Sequence, residues 1–164
     1  MLKDENTRLR VLAEHDWLTG LYNRNRYIER LEAYKQVQDQ QIGAIYIDLN
    51  GLKKVNDEQG HRAGDELIVR AAGTIAGIFA EDAYRVGGDE FVVILLDVSR
   101  EEFARKTEQL RRQMQENSVD ASIGGVWQAS TENLEDLLRR ADENMYREKK
   151  RYYSQADAAR KPES

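Results

Sequence analysis

The sequence predicts one mixed α+β domain, and three observations carry that reading. Apolar residues recur with two periods along the chain, helical in some segments and strand-like in others. A glycine-led turn, Gly87-Gly88-Asp89-Glu90, joins two short apolar runs and so forces an antiparallel strand pair. The chain has 164 residues, 40% of them hydrophobic, and no cysteine. A chain of that size buries about 70% of its unfolded surface, enough for a core without disulfides.

The elements follow in order. Leu2 and Leu9 stand one heptad apart, with Asn6 between them and Ala13 after them, the a and d spacing of a short coiled coil. Two turns cannot hold a helix pair by themselves. Residues 1–14 therefore read as the end of a longer linker helix, with a sensor domain upstream. Ile28 and Leu31, followed by Tyr34 or Val37, give a helix after Asn23. Ile42 to Asp48 is an apolar run that stops abruptly at a carboxylate, as buried strands do when they end at a site. Leu67, Ile68, Ala71, Ile75, Ile78 and Phe79 recur at helical spacing, and Ala83–Val86 and Phe91–Leu96 are the strands on either side of the glycine turn. Phe103, Leu110 and Met114 mark another helix, and Ala121 to Trp127 another strand. Leu134, Leu137, Leu138, Ala141 and Met145 mark a last helix. From Gln155 the apolar period stops, so residues 155–164 read as a disordered tail and 15–154 as the globular body.

Composition excludes several functions. The balance of 25 Lys+Arg against 30 Asp+Glu, a net charge of −5, argues against a broad nucleic-acid-binding surface. No apolar run approaches the roughly 18 residues of a membrane span, and no signal-like start is present, so the reading is a cytoplasmic domain with no membrane contact. Without cysteine there is no thiolate zinc site and no thiol nucleophile.

The chemistry gathers at carboxylates. Asp48 ends one strand, and Asp89 and Glu90 lie on the hairpin. If the first strand pairs beside that hairpin, the three acids meet at one sheet edge as oxygen ligands suited to Mg²⁺ rather than zinc. Gly87 and Gly88 leave backbone N–H groups bare, so a phosphate can approach closely. Metal, donors and a base are what phosphoryl or nucleotidyl transfer needs. From spacing alone, a plain hairpin with solvated acids fits equally well.

The residues themselves are more specific. Gly87-Gly88-Asp89-Glu90-Phe91 is the GGDEF signature, and the chain resembles a GGDEF-domain diguanylate cyclase over nearly its whole length. Asp16-Trp-Leu-Thr-Gly-Leu-Tyr-Asn-Arg24 is similar to the family's entry block. Asp48-Leu-Asn-Gly-Leu-Lys53, Asn56-Asp57 and Gly60-His61-Arg-Ala-Gly64-Asp65 are similar to its nucleotide-binding stretch. Ala121-Ser-Ile-Gly124 matches the late strand, and Ala141-Asp142, Met145-Tyr146 and Lys149 the closing helix.

The resemblance implies the GGDEF fold, akin to nucleotidyl cyclase and polymerase palm domains, with a central, mostly antiparallel sheet flanked by helices. It implies a bacterial second-messenger reaction in which two GTP condense to cyclic di-GMP with loss of two pyrophosphates, in a transient homodimer. Mg²⁺, or alternatively Mn²⁺, would lie on Asp48, the Leu49 carbonyl and Asp89. Asp89 and Glu90 would be catalytic, and the Gly87 and Gly88 amides would line the phosphates. Asn56 and Asp65 would read guanine, and Lys53 and Lys149 would meet the β- and γ-phosphates. His61 joins this nucleotide-side set as a hydrogen-bonding residue, since no second His or Cys stands at metal spacing. On residue type alone, Arg85 reads as a solvent-facing strand residue, and Trp17, Tyr22, Trp127 and Tyr146 as packing residues.

Three departures from the family pattern stand out. Asn50 replaces a frequent second Asp. The Gly-Arg pair usual after Lys149 is absent, so one triphosphate contact is missing and Arg151 is the nearest substitute. The inhibitory R-x-x-D positions hold Ile78-Phe79-Ala80-Glu81, so that product site is expected to be absent. Two other functions stay open at this point. A catalytically silent GTP-binding module would have altered signature acids, and a hybrid cyclase making cyclic GMP-AMP would lose the acid at Asp65.

Overall fold

The structure, a computed structural model, describes residues 2–160. At its centre is β1 (Ile42–Leu49), buried on both faces, which is why its sequence is an almost unbroken apolar run rather than an alternating one. β3 (Glu90–Leu96) pairs with it on one side and β4 (Ala121–Gln128) on the other, while β2 (Ala83–Arg85) adds to the outer edge of β3. The sheet order is β2-β3-β1-β4, and every one of these pairings is antiparallel. This is the α+β class expected from the glycine-led turn.

Helices cover both faces. Ile45, Ile47 and Leu49 pack with α4 (His61–Phe79) and α5 (Arg100–Glu116) in one core. Ile42, Ala44, Val92 and Ile94 pack with α6 (Leu134–Arg160) and α2 (Arg24–Tyr34) in the other. The Asn23 side chain caps α2 by accepting from the Arg26 amide, and Ser99 caps α5 in the same way through Glu102. α6 lies directly on β4: a Cβ on Gly124 would overlap the backbone of Ala141 and Met145.

Two elements differ from the sequence reading. α3 (Leu52–Gln59) has only Leu52 and Val55 as apolar residues, too few to show a period. It is bounded by Gly51 (φ 72°) and Gly60 (φ 90°), both in conformations that favour glycine. The expected tail is also corrected. α6 continues through Arg160, because no glycine or proline lies between Gly125 and Pro162 and the segment is rich in alanine. Residues 161–164, the rest of that expected tail, lie outside the described residues.

α1 (Leu2–Glu14) is exposed from Lys3 to Ala13, with Leu9, Val11 and Leu12 all at least half exposed. Among the described residues no helix is long and apolar enough to cross a membrane.

The tight seat at Gly124 yields a stability prediction. Gly124→Ala should destabilise the fold by about 2–3 kcal/mol through overpacking against α6. Gly73→Ala, in open space on α4, should stabilise it by up to about 1 kcal/mol. Urea unfolding of both variants measures the contrast.

Candidate active site

The antiparallel register sets Asp48 opposite Glu90, and the Leu49 amide donates to the Asp89 carbonyl at 2.9 Å. Strand end and hairpin are thereby stitched together. One carboxylate oxygen from each of Asp48, Asp89 and Glu90 lies within 4.8 Å of the others, so the expected convergence of three acids is present. Asp48 is buried, Asp89 half-buried and Glu90 exposed. Burial pushes the Asp48 carboxyl up to about 6, the neighbouring Asp89 carboxylate acts in the same direction, and Lys149 opposes both.

The Lys149 ammonium stands 3.0 Å from Asp48 Oδ1 and 3.3 Å from the Leu49 carbonyl oxygen. Although close enough for an ion pair, it leaves the buried Oδ1 without an aligned hydrogen-bond donor. Hard oxygen donors, an orphaned buried carboxylate oxygen and a cation already drawn to the same atoms fit a divalent oxygen-loving ion.

A cleft of about 400 Å³ opens beside the acids. Asp89, Lys53, Lys54 and Gly51 line one side, and Tyr152 and Tyr153 of α6 the other. Arg151, the substitute suggested by sequence, is exposed and does not line it. Lys54 and the two tyrosines escaped the sequence reading, since only the continuation of α6 brings the tyrosines here.

On the far side of α3, the Asn56 side-chain oxygen occupies the space that a Cβ on Gly64 would fill. Asn56 and Asp65 therefore flank the same α3–α4 junction, Asn56 half-buried and Asp65 exposed. His61, at the first position of α4, is exposed and makes no side-chain hydrogen bond among the described residues. Asn50 is buried and fully used: it donates to Asp120 Oδ1 at 2.9 Å and accepts from Ser122 Oγ at 2.8 Å. An aspartate there would face Asp120 with like charge, which accounts for the amide.

The glycine hairpin is held from outside. Gly87 and Gly88 both have negative φ, so the turn itself does not demand glycine. Arg85 does not face solvent, correcting the expectation: its guanidinium donates to both Asp16 carboxylate oxygens at 3.1 and 3.0 Å and to the Gly88 carbonyl at 2.9 Å. Thr19 adds its amide and hydroxyl to Asp16 Oδ2. Burial works against ionisation of Asp16, but the bonds from Thr19 and Arg85 outweigh it and hold the carboxyl below the usual range. Of the four aromatics read as packing residues, Trp17 is 86% and Tyr146 55% exposed. Tyr22 stacks on His15, and Trp127 donates to the Val98 carbonyl.

Fold and site together define a class: an α+β domain presenting a carboxylate centre beside bare backbone at a strand end. The family model described as diguanylate cyclase, GGDEF domain, matches residues 13–155, and the chain belongs to that family. It is 34% identical over 158 residues to an uncharacterized signaling protein of Caulobacter vibrioides, covering 87% of this chain and 20% of that protein. To the bifunctional diguanylate cyclase/cyclic di-GMP phosphodiesterase MucR of Pseudomonas aeruginosa it is 35% identical over 158 residues, covering 88% of this chain and 23% of that one. The chain thus spans less than a quarter of either relative. Among solved structures, the coiled coil and GGDEF domain of DgcB from Caulobacter crescentus, in complex with c-di-GMP, is similar with a TM-score of 0.82 at 25% identity. That match covers 91% of this chain and 87% of the other.

The Asp16 pair generates a pH-dependent prediction. Asp16→Asn should cost about 2 kcal/mol at pH 7, where the native carboxylate is charged and bound. Because the folded carboxyl titrates below the unfolded value of about 4, its contribution is complete above that value and lost as pH falls through the folded one. The stability gap between the two proteins should therefore close in acid. Denaturant unfolding from pH 7 to pH 3 reads this directly, and a constant gap would contradict it.

Proposed function

We propose that this domain is a diguanylate cyclase that condenses two GTP into cyclic di-GMP and two pyrophosphates. The observation that carries this reading is the cluster of Asp48, Asp89 and Glu90, with the Lys149 ammonium drawn to Asp48 Oδ1 and the Leu49 carbonyl. Asp48, the Leu49 carbonyl and Asp89 would hold Mg²⁺, or Mn²⁺ in its place, which supplies charge neutralisation for phosphate oxygens when bound.

The chain's own residues do the rest. The side-chain-free turn at Gly87 and Gly88 lets phosphate oxygens approach the backbone, and Lys53 and Lys149 meet the β- and γ-phosphates as point charges. Asn56 and Asp65 read guanine, with the carboxylate accepting from N1–H and the exocyclic amine. Asp89 takes the proton from the attacking 3′-hydroxyl while Glu90 stays beside it. A new O–P bond then forms at the α-phosphorus, and pyrophosphate leaves with the electrons of the broken bond. His61 belongs to the nucleotide side of the site.

Each 3′-hydroxyl attacks a nucleotide held by another copy, so one domain carries half of the reacting set. The exposed Leu9, Val11 and Leu12 of α1 support pairing of two copies through residues 1–14, with 15–154 as the catalytic body and control arriving from upstream. Ile78 and Phe79 are taken up by the core around α4, which supports a domain inhibited by product only at the active site. This domain acts on the cytoplasmic side.

Three outcomes test the reading. Asp89→Ala should abolish GTP turnover, and parent activity should rise more steeply than linearly with protein concentration, both followed by mass analysis of products. Asp65→Ser should narrow the preference for GTP over ATP about tenfold, because adenine offers no N1–H and leaves the carboxylate unpaired. Equal binding of ATP and GTP by the parent, measured by calorimetry, would contradict it.

A further inference from the structure

We propose that the Tyr152 hydroxyl donates a hydrogen bond to the triphosphate of bound GTP, supplying the contact for which the sequence offers no arginine. The inference rests on the nucleotide reading of the cleft and identifies a further binding residue within it.

Helix geometry decides which residue can reach. Lys149, Tyr152, Tyr153 and Ala156 are related by i, i+3, i+4 and i+7, one face of α6, and the last three line the cleft. Arg151 is two residues on from Lys149, about 200° around the axis. Its exposure follows from that angle.

Tyr152 is also shaped for the task. Its hydroxyl lies 3.1 Å from where a Cβ on Gly51 would sit, so the absence of a side chain at Gly51 makes room for it. The ring is half-buried and braced edge-on by Tyr153, with centroids 5.3 Å apart. Among the described residues the hydroxyl has no hydrogen-bond partner, although Lys53, Lys54 and Asp89 line the same cleft. Asp57, Glu58 and Asp157, which also line it, can only accept while ionised. The phenols of Tyr152 and Tyr153 and the two lysines are therefore the side-chain donors these walls offer to an anion, and of the two phenols it is that of Tyr152 that the bare Gly51 admits. A neutral phenol donating to an anionic phosphate oxygen makes a charge-assisted bond without adding another charge beside Lys53 and Lys54.

The experiment compares the parent, Tyr152→Phe and Arg151→Ala in calorimetric titrations with Mg²⁺ and either the non-reacting α,β-methylene analogue of GTP or GMP. Tyr152→Phe keeps the ring and its packing but removes the donor. It should weaken the triphosphate analogue about tenfold and leave GMP affinity unchanged. Unaltered affinity for the triphosphate analogue overturns the inference, as does an equal loss for both ligands, which marks a structural role. A loss confined to Arg151→Ala overturns it in favour of the guanidinium. If the parent binds neither ligand, the nucleotide reading itself fails and this inference falls with it.

Discussion

The pairing of β1 with β3 is the constraint on which the site depends. An antiparallel register that joins Ile42 to Leu96 at one end necessarily joins Asp48 to Glu90 at the other. A slip of one residue would turn Asp48 toward the α4 and α5 core and carry Ile47 to the α6 side. Side-chain size tells the two faces apart, since the Phe103 ring of α5 fills the space a side chain at Gly43 would take, so burial of Ile45, Ile47 and Leu49 on that face is also what delivers a carboxylate to the other. Stability and chemistry are set by the same strand.

Holding those acids together opposes folding, and the neighbourhood shows how the cost is met. Asp48 is buried beside Asp89, and its raised pKa is the signature of that conflict. Lys149 relieves it from α6. The hairpin that carries Asp89 is tied down by Arg85 to the turn at Asp16, immediately after α1. The acids are thus bracketed by the first and last helices of the described chain, neither of which contributes a strand.

Much of this was legible in sequence. Period and turn chemistry marked the four strands and the long helices, and the abrupt end of an apolar run at Asp48 marked the site. What escaped depends on contacts remote in sequence. Arg85 looks like an edge-strand residue until Asp16, 69 positions earlier, comes beside it. Asn50 looks like a lost metal ligand until Asp120 and Ser122 claim both ends of its amide. α3 is too short to show a period, and in the tail the apolar residues run out while the helix continues. A helix needs only the absence of breakers to continue once its first turns are anchored.

That anchoring has a mechanical consequence. At Gly124 the backbones of β4 and α6 meet with no side chain between them, near Ala141 and Met145. Such a seat resists sliding yet leaves the helix a fulcrum. Tyr152 lies roughly nine residues beyond it, an arm of about 14 Å at the helical rise. A tilt of about 4° over that arm displaces the phenol by about 1 Å, enough to make or break a hydrogen bond. The sheet need not move at all, so the width of the cleft can be adjusted by levering one helix while the acids on β1 and β3 stay where their register puts them.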